Sequence, residues 1–243
     1  MKTVIVFKWA KNPQDARVSA DGSVDWRSAK MSVSDDDAAA AAVVLDIAGD
    51  GDIVGLTLGN GDATWAAARG ASSTVSVTDA EPNADSAATA AVLAAGVRHI
   101  GEADVVVVGD CAWDQMVPVS LAAQLGWPAL AGVLSATPEG DHLRVTRRTA
   151  AGAQVVDVST PVVLVVAARR AEQTTPGMKQ VLAARKKPLE KVTTATLGVT
   201  HDCGVRVRGT ELPEATVARV IDGTDPAAAV EQLLAALRSE GVL

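Results

Sequence analysis

Four short apolar runs, at residues 3–7, 53–58, 74–77 and 105–108, are spaced by stretches of helical length, and this alternation constrains the fold more than any other feature of the chain. Such runs suit strands covered on both faces, as parallel strands are when helices lie above and below them. Residues 35–48, 62–70, 84–98 and 119–125 read as the helices. The strand–helix–strand order predicts an α/β fold with an open, mostly parallel sheet and helices on both of its faces. Residues 128–134 add a further strand. The pattern then changes: residues 142–148 and 154–158 flank Thr149-Ala-Ala-Gly152 and predict an antiparallel hairpin, followed by an apolar strand at 162–167.

At 243 residues the chain is long enough to bury one sizeable core. Apolar residues make up 48% of it but aromatic ones only 2%, with no Tyr and one Phe, so Ala and Val must do the packing. The formal net charge of −7 argues against general nucleic-acid affinity, which rests on an excess of Lys and Arg. Cys111 and Cys203 lack a metal-type spacing, and His99, His142 and His201 stand apart from them, so no metal site is expected. No apolar run approaches the ~20 residues needed to span a bilayer; no membrane insertion is expected, and the cytoplasm is the default compartment.

Beyond residue 168 the periodicity is lost. Residues 169–177 are polar and end in Thr174-Thr-Pro-Gly177, and residues 190–225 are irregular, with Gly198, Gly204, Gly209, Pro213 and Gly223. Irregular segments of that length are usually functional or docked on something. The arm closes on a helix signalled by Asp225 as cap and Pro226 at its first position. Val230, Leu233, Leu234 and Leu237 form one apolar stripe along it.

Three stretches carry candidate chemistry, each with a plain structural reading beside the functional one. In Ser34-Asp-Asp-Asp37, Ser34 caps a helix and the carboxylates meet the positive end of its dipole; alternatively they accept hydrogen bonds from ribose hydroxyls or an adenine amino group. Residues 109–118 follow a buried strand and precede a helix, where open parallel sheets bind ligands. Gly109 permits a close backbone approach there, and the helix N-terminus favours an anion. Yet Asp110-Cys-Ala-Trp-Asp-Gln-Met-Val-Pro118 holds two carboxylates and no Lys, Arg, Ser or Thr, leaving only backbone amides for a phosphate. Cys111 reads as a small apolar filler rather than a nucleophile, because no basic residue adjoins it. Gly59-Asn-Gly61 is either an ordinary turn or part of the same crevice. Arg185-Lys-Lys187 is a solvated face or, beside apolar Met178, Val181 and Leu182, part of a docking element.

Taken in order, several segments resemble the β subunit of electron-transfer flavoproteins. Val4-Ile-Val-Phe-Lys8 is similar to that family's opening strand with its lysine. Ala84-Asp-Ser-Ala-Ala-Thr-Ala-Ala-Val-Leu-Ala94 looks like its Ala-Asp-Thr-x-Ala-Thr-Ala-x-x-Leu-Ala helix. The segments 104–109 and Leu125-Gly-Trp-Pro128 bracket its nucleotide loop. Ala183-Ala-Arg-Lys-Lys-Pro-Leu-Glu190 is close to its Ala-Lys-Lys-Lys-Pro-Ile-Glu signature, with Leu197-Gly-Val199 following. The departures lie in the loop, which keeps Ala112 and Asp114 but loses the family's hydroxyl and is shorter, and at Ser32-Val33, where the family has Asn-Pro. The resemblance therefore implies a divergent member with a weakened or altered nucleotide site.

The resemblance further implies an adenine-nucleotide-binding α/β domain over residues 1–189, with a recognition loop at about 169–185, and an arm and helix at 190–243 that dock on a larger α subunit. FAD would be held mainly by that α subunit, with AMP as the nucleotide of the β subunit. The implied cofactor contacts are Val6 and Lys8, then Ser32, Ser34 and Asp35, then Leu58 and Gly59, then Gly109, Asp110, Cys111, Ala112, Asp114, Met116 and Val117. A donor flavin dehydrogenase would dock at Met178, which aligns with the family's apolar anchor, with Lys179, Arg185 and Lys187 beside it. Gln154 takes the place of a hairpin glutamate that holds the partner's mobile flavin domain, and Leu233 and Leu237 face the α subunit. Such a chain carries electrons without catalytic residues of its own. The rival is a free-standing adenine-nucleotide-binding or stress-type module acting as a homodimer, which would not need the arm; a small-molecule enzyme would need an acid–base pair or activated nucleophile that the sequence does not offer.

Overall fold

The computed structural model describes residues 1–80, 85–110, 114, 116–167, 175–200, 204–214 and 218–243. In chain order its elements are β1 (Thr3–Val6), β2 (Trp9–Lys11), β3 (Arg17–Val18), β4 (Val24–Asp25), β5 (Met31–Val33), α1 (Asp35–Ala48), β6 (Ile53–Leu58), α2 (Thr64–Ala67), β7 (Ser73–Val77), α3 (Ser86–Ile100), β8 (Val105–Gly109), α4 (Met116–Leu125), β9 (Ala129–Glu139), β10 (His142–Thr149), β11 (Gly152–Ser159), β12 (Val162–Val166), α5 (Met178–Ala184), β13 (Leu189–Val192) and α6 (Pro226–Ser239).

The apolar runs are buried on both faces because alternate side chains enter different cores. Val4, Val6, Leu56, Val106, Val108, Val163 and Val165 pack against Leu93 and Val97 of α3 and Leu121 of α4. Ile5, Phe7, Val105, Val107 and Leu164 pack instead against Val43, Val44 and Ile47 of α1 and Trp65 of α2. Fully burying one such Val contributes about 1.5–3 kcal/mol, so a strand with helices on both sides gains from every residue. One sheet results, in the order β11-β10-β9-β12-β8-β1-β6-β7-β13. From β9 across to β13 in that order, neighbouring strands pair in parallel, while β9, β10 and β11 pair antiparallel. This is the expected α/β architecture with its antiparallel hairpin.

The structure differs from the sequence pattern at several places. β9 runs five residues beyond the expected end at 134, because it pairs with β12 in its first half and with β10 in its second. β13 forms from Leu189-Glu-Lys-Val192, where no strand is expected, by adding to the edge strand β7. Two small antiparallel pairs, β2 with β5 and β3 with β4, occupy the segment between β1 and α1. α2 is shorter than its predicted span; Asp62 Oδ1 accepts the Thr64 N–H at 2.9 Å to open it. Trp65 of this helix stacks on Phe7, and the Arg69 guanidinium lies 4.1 Å from its ring centroid.

The chain divides into two compact units: Met1–Val18 with Val24–Gly209, and Ser19–Ser23 with Thr210–Leu243. The second contains α6, where Asp225 accepts the N–H groups of Ala227 and Ala228 at 3.0 and 3.3 Å and Pro226 occupies the first turn, as the sequence predicts. No residue of α6 is buried; Val230, Leu233 and Leu234 are exposed and Leu237 is partly covered.

Candidate functional site

The chain leaves β1 for β6 on one side and later returns to β8 on the other, so strand order reverses at β1. Open parallel sheets bind ligands outside the carboxyl ends of their strands at such a reversal. Here a small crevice of about 30 Å³ opens there, lined by Val6, Phe7 and Lys8 after β1, Asp37 of α1, Leu58 of β6, Thr89 and Leu93 of α3, Val108 of β8, Asp114 and Val117. Val6, Lys8, Leu58, Asp114 and Val117 belong to the residues expected from the sequence. So does Asp37, from the carboxylate run after Ser34; Phe7, Thr89, Leu93 and Val108 do not.

Most polar groups in the crevice are held by specific contacts. Ser34 caps α1: its Oγ accepts the Asp37 N–H at 3.1 Å and donates to Asp37 Oδ2 at 2.9 Å. The Lys8 N–H donates to the same Oδ2 at 3.3 Å. Asp37 is buried, and that burial pushes its carboxyl up to about 7, against the opposing effect of these hydrogen bonds. Lys8 Nζ lies 3.6 Å from Asp114 Oδ2, and Ser86 Oγ donates to Asp114 Oδ1 at 2.6 Å. Thr89 is 3% exposed, and neither its Oγ1 nor Asp114 Oδ2 has a hydrogen-bond partner.

Gly109 serves a close approach of protein to protein. A Cβ there would lie 2.7 Å from the Asp36 carbonyl carbon and 2.8 Å from the Asp37 nitrogen, so its absence lets the first turn of α1 sit against the end of β8. Asp110 is exposed, with its N–H on the Val166 oxygen at 2.8 Å; partial loss of hydration and then neighbouring Asp36 raise its carboxyl, and Arg148 opposes them. Gly59, at φ 81°, lines an adjoining cavity of about 390 Å³ with Trp9, Lys11, Met31 and Leu58. Ser32 lies opposite Ala10 in the β2–β5 pair, Asp35 is exposed on α1, and Met116 is 59% exposed. Cys111 and Ala112 lie outside the described residues, as do residues 169–174 of the recognition loop expected at about 169–185.

Among the described residues lining the crevice, the one cation is Lys8, and Asp114 already faces it. Asp36, Asp37 and Asp110 add acidic groups nearby. The crevice thus combines apolar walls with hydrogen-bond acceptors, and its described residues do not supply a side-chain cradle for phosphate. No group of three or more His, Cys, Asp or Glu among the described residues could hold a metal ion, and none of their helices is long and apolar enough to cross a membrane.

At the other expected surfaces, Met178 opens α5 and is 76% exposed, with Lys179 and Arg185 also exposed. Lys187 is placed differently: its Nζ donates to the carbonyl oxygens of Ala67 and Ala71 at 3.0 and 2.7 Å, tying the end of α5 to the end of α2. Gln154 is exposed on β11, paired in register with Arg147.

A family model described as the electron transfer flavoprotein domain matches residues 24–197. A protein of Schizosaccharomyces pombe (strain 972 / ATCC 24843) described as a probable electron transfer flavoprotein subunit beta is 34% identical over 82 residues, covering 34% of this chain. The match spans about a third of that relative's own length, 32%.

Proposed function

Because the chain belongs to the electron transfer flavoprotein domain family, we propose that it is the β subunit of a heterodimeric electron-transfer flavoprotein. In this reading it anchors a larger α subunit, which holds the redox FAD, and docks a donor flavin dehydrogenase so that electrons pass onward. The flavin supplies the electron chemistry; this chain supplies position and recognition. The observation that carries the subunit reading is α6, a capped amphipathic helix that buries none of its residues and leaves Val230, Leu233 and Leu234 exposed. An apolar stripe of that kind on an ordered helix is what a partner surface covers.

The division of labour follows the sequence. Residues 1–189 form the nucleotide-binding body, with the recognition loop at about 169–185, and residues 190–243 form the docking arm. Met178 is the apolar anchor for the dehydrogenase, and its exposure supports that role. Lys179 and Arg185 steer an acidic surface toward it, while Lys187 holds the platform in place. Gln154 faces the partner's flavin-bearing domain. The crevice at the end of β1 is the β-subunit nucleotide site, with AMP as its ligand at reduced affinity, since Lys8 is the one lining cation among the described residues.

Native co-purification followed by mass spectrometry tests this. Recovery of a larger flavoprotein chain at equal stoichiometry, with one FAD per pair, is the expected result. A stable homodimer without a flavoprotein partner overturns it in favour of a free-standing nucleotide-binding module.

A further inference from the structure

Asp85 does more than cap α3. Its Oδ1 accepts the N–H groups of Ala87 and Ala88 at 3.1 and 3.0 Å, the ordinary work of a residue at that position. Its Oδ2 accepts two amides from far along the chain, Gly204 at 2.7 Å and Val205 at 3.1 Å. One carboxylate, on a residue 7% exposed, thus joins the start of α3 to the arm. Hydrogen bonds to an ionised acceptor are the strong ones, and α3 is already capped without the second pair.

The arm needs that second pair. Up to Val199 it is held in other ways: β13 pairs with β7, the Thr194 N–H and hydroxyl donate to the two carboxylate oxygens of Asp79 at 2.8 Å each, and Leu197 and Val199 pack on the core. Residues 204–214 are all exposed, with Val205 at 57% and Val207 at 69%, so no buried side chain fixes them. Among the described residues from 200 to 209, the hydrogen bonds to the rest of the body are the two that Asp85 accepts.

Resting on the reading of residues 190–243 as a docking arm, we propose that Asp85 is a positioning residue for the partner subunit: it clasps Gly204 and Val205 so that the segment after them is ordered before the partner arrives. Ordering one residue in advance is worth about five- to thirtyfold in an equilibrium constant, and a segment already fixed does not charge that cost to binding. The segment so presented alternates apolar Val205 and Val207 with Arg206 and Arg208, all exposed. It fits an apolar surface of the partner bordered by carboxylates.

Two variants break the clasp from opposite sides. Asp85→Asn keeps one acceptor oxygen, which stays with the local α3 amides because Asn caps as well as Asp, and turns an NH2 toward Gly204 and Val205. Val205→Pro removes one arm amide and leaves the cap untouched. In Asp85→Asn, hydrogen exchange at Gly204 and Val205 and tryptic cleavage after Arg206 and Arg208 should each quicken at least tenfold, while Ala87 and Ala88 keep their protection. Both variants should bind the co-purifying flavoprotein chain about tenfold more weakly, with thermal unfolding confirming that they fold. Unchanged exchange and cleavage in Asp85→Asn overturns the clasp and leaves the subunit reading standing. Faster exchange with undiminished affinity in both variants overturns the positioning role. A wild-type chain that binds no flavoprotein subunit removes the proposal and the subunit reading together.

Discussion

Lys8 Nζ lies 3.6 Å from Asp114 Oδ2, joining the end of β1 to the loop before α4 across the mouth of the crevice. Ser86 of α3 donates to the other oxygen of the same carboxylate at 2.6 Å, so three elements meet at one side chain. The Asp114 side chain is 9% exposed and that of Lys8 26%, so the pair is screened less than a surface one. Removing one partner leaves a largely buried charge uncompensated. Lys8→Met is expected to lower stability by about 1–3 kcal/mol, and Lys8→Met combined with Asp114→Asn to recover most of that loss. Urea unfolding of the four members of the cycle measures it; a double variant no more stable than Lys8→Met alone contradicts the coupling.

Asp37 makes stability depend on pH in a direction opposite to most carboxylates. Its folded carboxyl is pushed up to about 7 by burial, against an ordinary value of 3.8. Between those values the native state keeps a proton that the unfolded state has released. The Asp37 contribution to stability is therefore greatest below pH 4, falls as pH rises toward 7, and is flat above. Each pH unit separating the two values is worth about 1.4 kcal/mol, so a few kcal/mol are lost across the window. Asp37→Asn cannot ionise, so the wild type should lose stability relative to this variant between pH 5 and pH 8. Urea midpoints at the two pH values that leave the difference between the proteins unchanged would contradict this.

The central sheet was legible because its strands are short, apolar and separated by helices with clear caps. α1 begins after Ser34 and ends at Ala48 as the sequence indicates, since Ser34 makes the expected capping contact. β13 was not legible: Leu189-Glu-Lys-Val192 has no strand periodicity of its own and becomes a strand only by pairing with β7. The β2–β5 segment is similar, made of pairs too short to leave a pattern. In the crevice, a loop that lacks Lys, Ser and Thr in sequence acquires Lys8 and Ser86 from β1 and α3 through topology alone. Thr89 is hidden inside an Ala-rich helix; its signals are its place as the second hydroxyl position of the Ala84–Ala94 segment and its position three residues after Ser86, on the turn that Asp85 caps.

The basic run after α5 separates into two roles that a pair of substitutions distinguishes. Lys187 Nζ holds two backbone carbonyls, of Ala67 and Ala71, whereas Arg185 is exposed. Lys187→Met is expected to cost about 1–2 kcal/mol of stability by leaving those carbonyls without their charged donor. Arg185→Met should leave stability unchanged within about 0.5 kcal/mol. Thermal or urea unfolding decides it, and equal effects of the two changes would remove the distinction.

Met178, 76% exposed at the first position of α5, is expected to act only in recognition of the donor dehydrogenase. A flexible thioether suits a shallow apolar pocket on a partner. Met178→Ala should therefore reduce dehydrogenase-coupled electron transfer several-fold while leaving bound flavin and subunit assembly intact. Steady-state transfer assays alongside flavin quantification separate the outcomes: unchanged coupling excludes the anchor role, and lost flavin or assembly assigns the residue to structure.

The stripe on α6 makes the complementary prediction for assembly. Leu233 is 48% exposed and Leu234 36%, with Val230 one turn earlier at 54%. Leu233→Asp changes a half-exposed position of this chain, so the fold of the chain itself should change by no more than about 1 kcal/mol. Against a covering α subunit the same carboxylate would be buried without a partner, at a cost of several kcal/mol. Association should weaken by at least a hundredfold, as seen in sedimentation or native mass spectrometry of the co-expressed subunits, while circular dichroism of the variant stays that of the wild type. Undiminished association would show that α6 is not the surface that holds the partner.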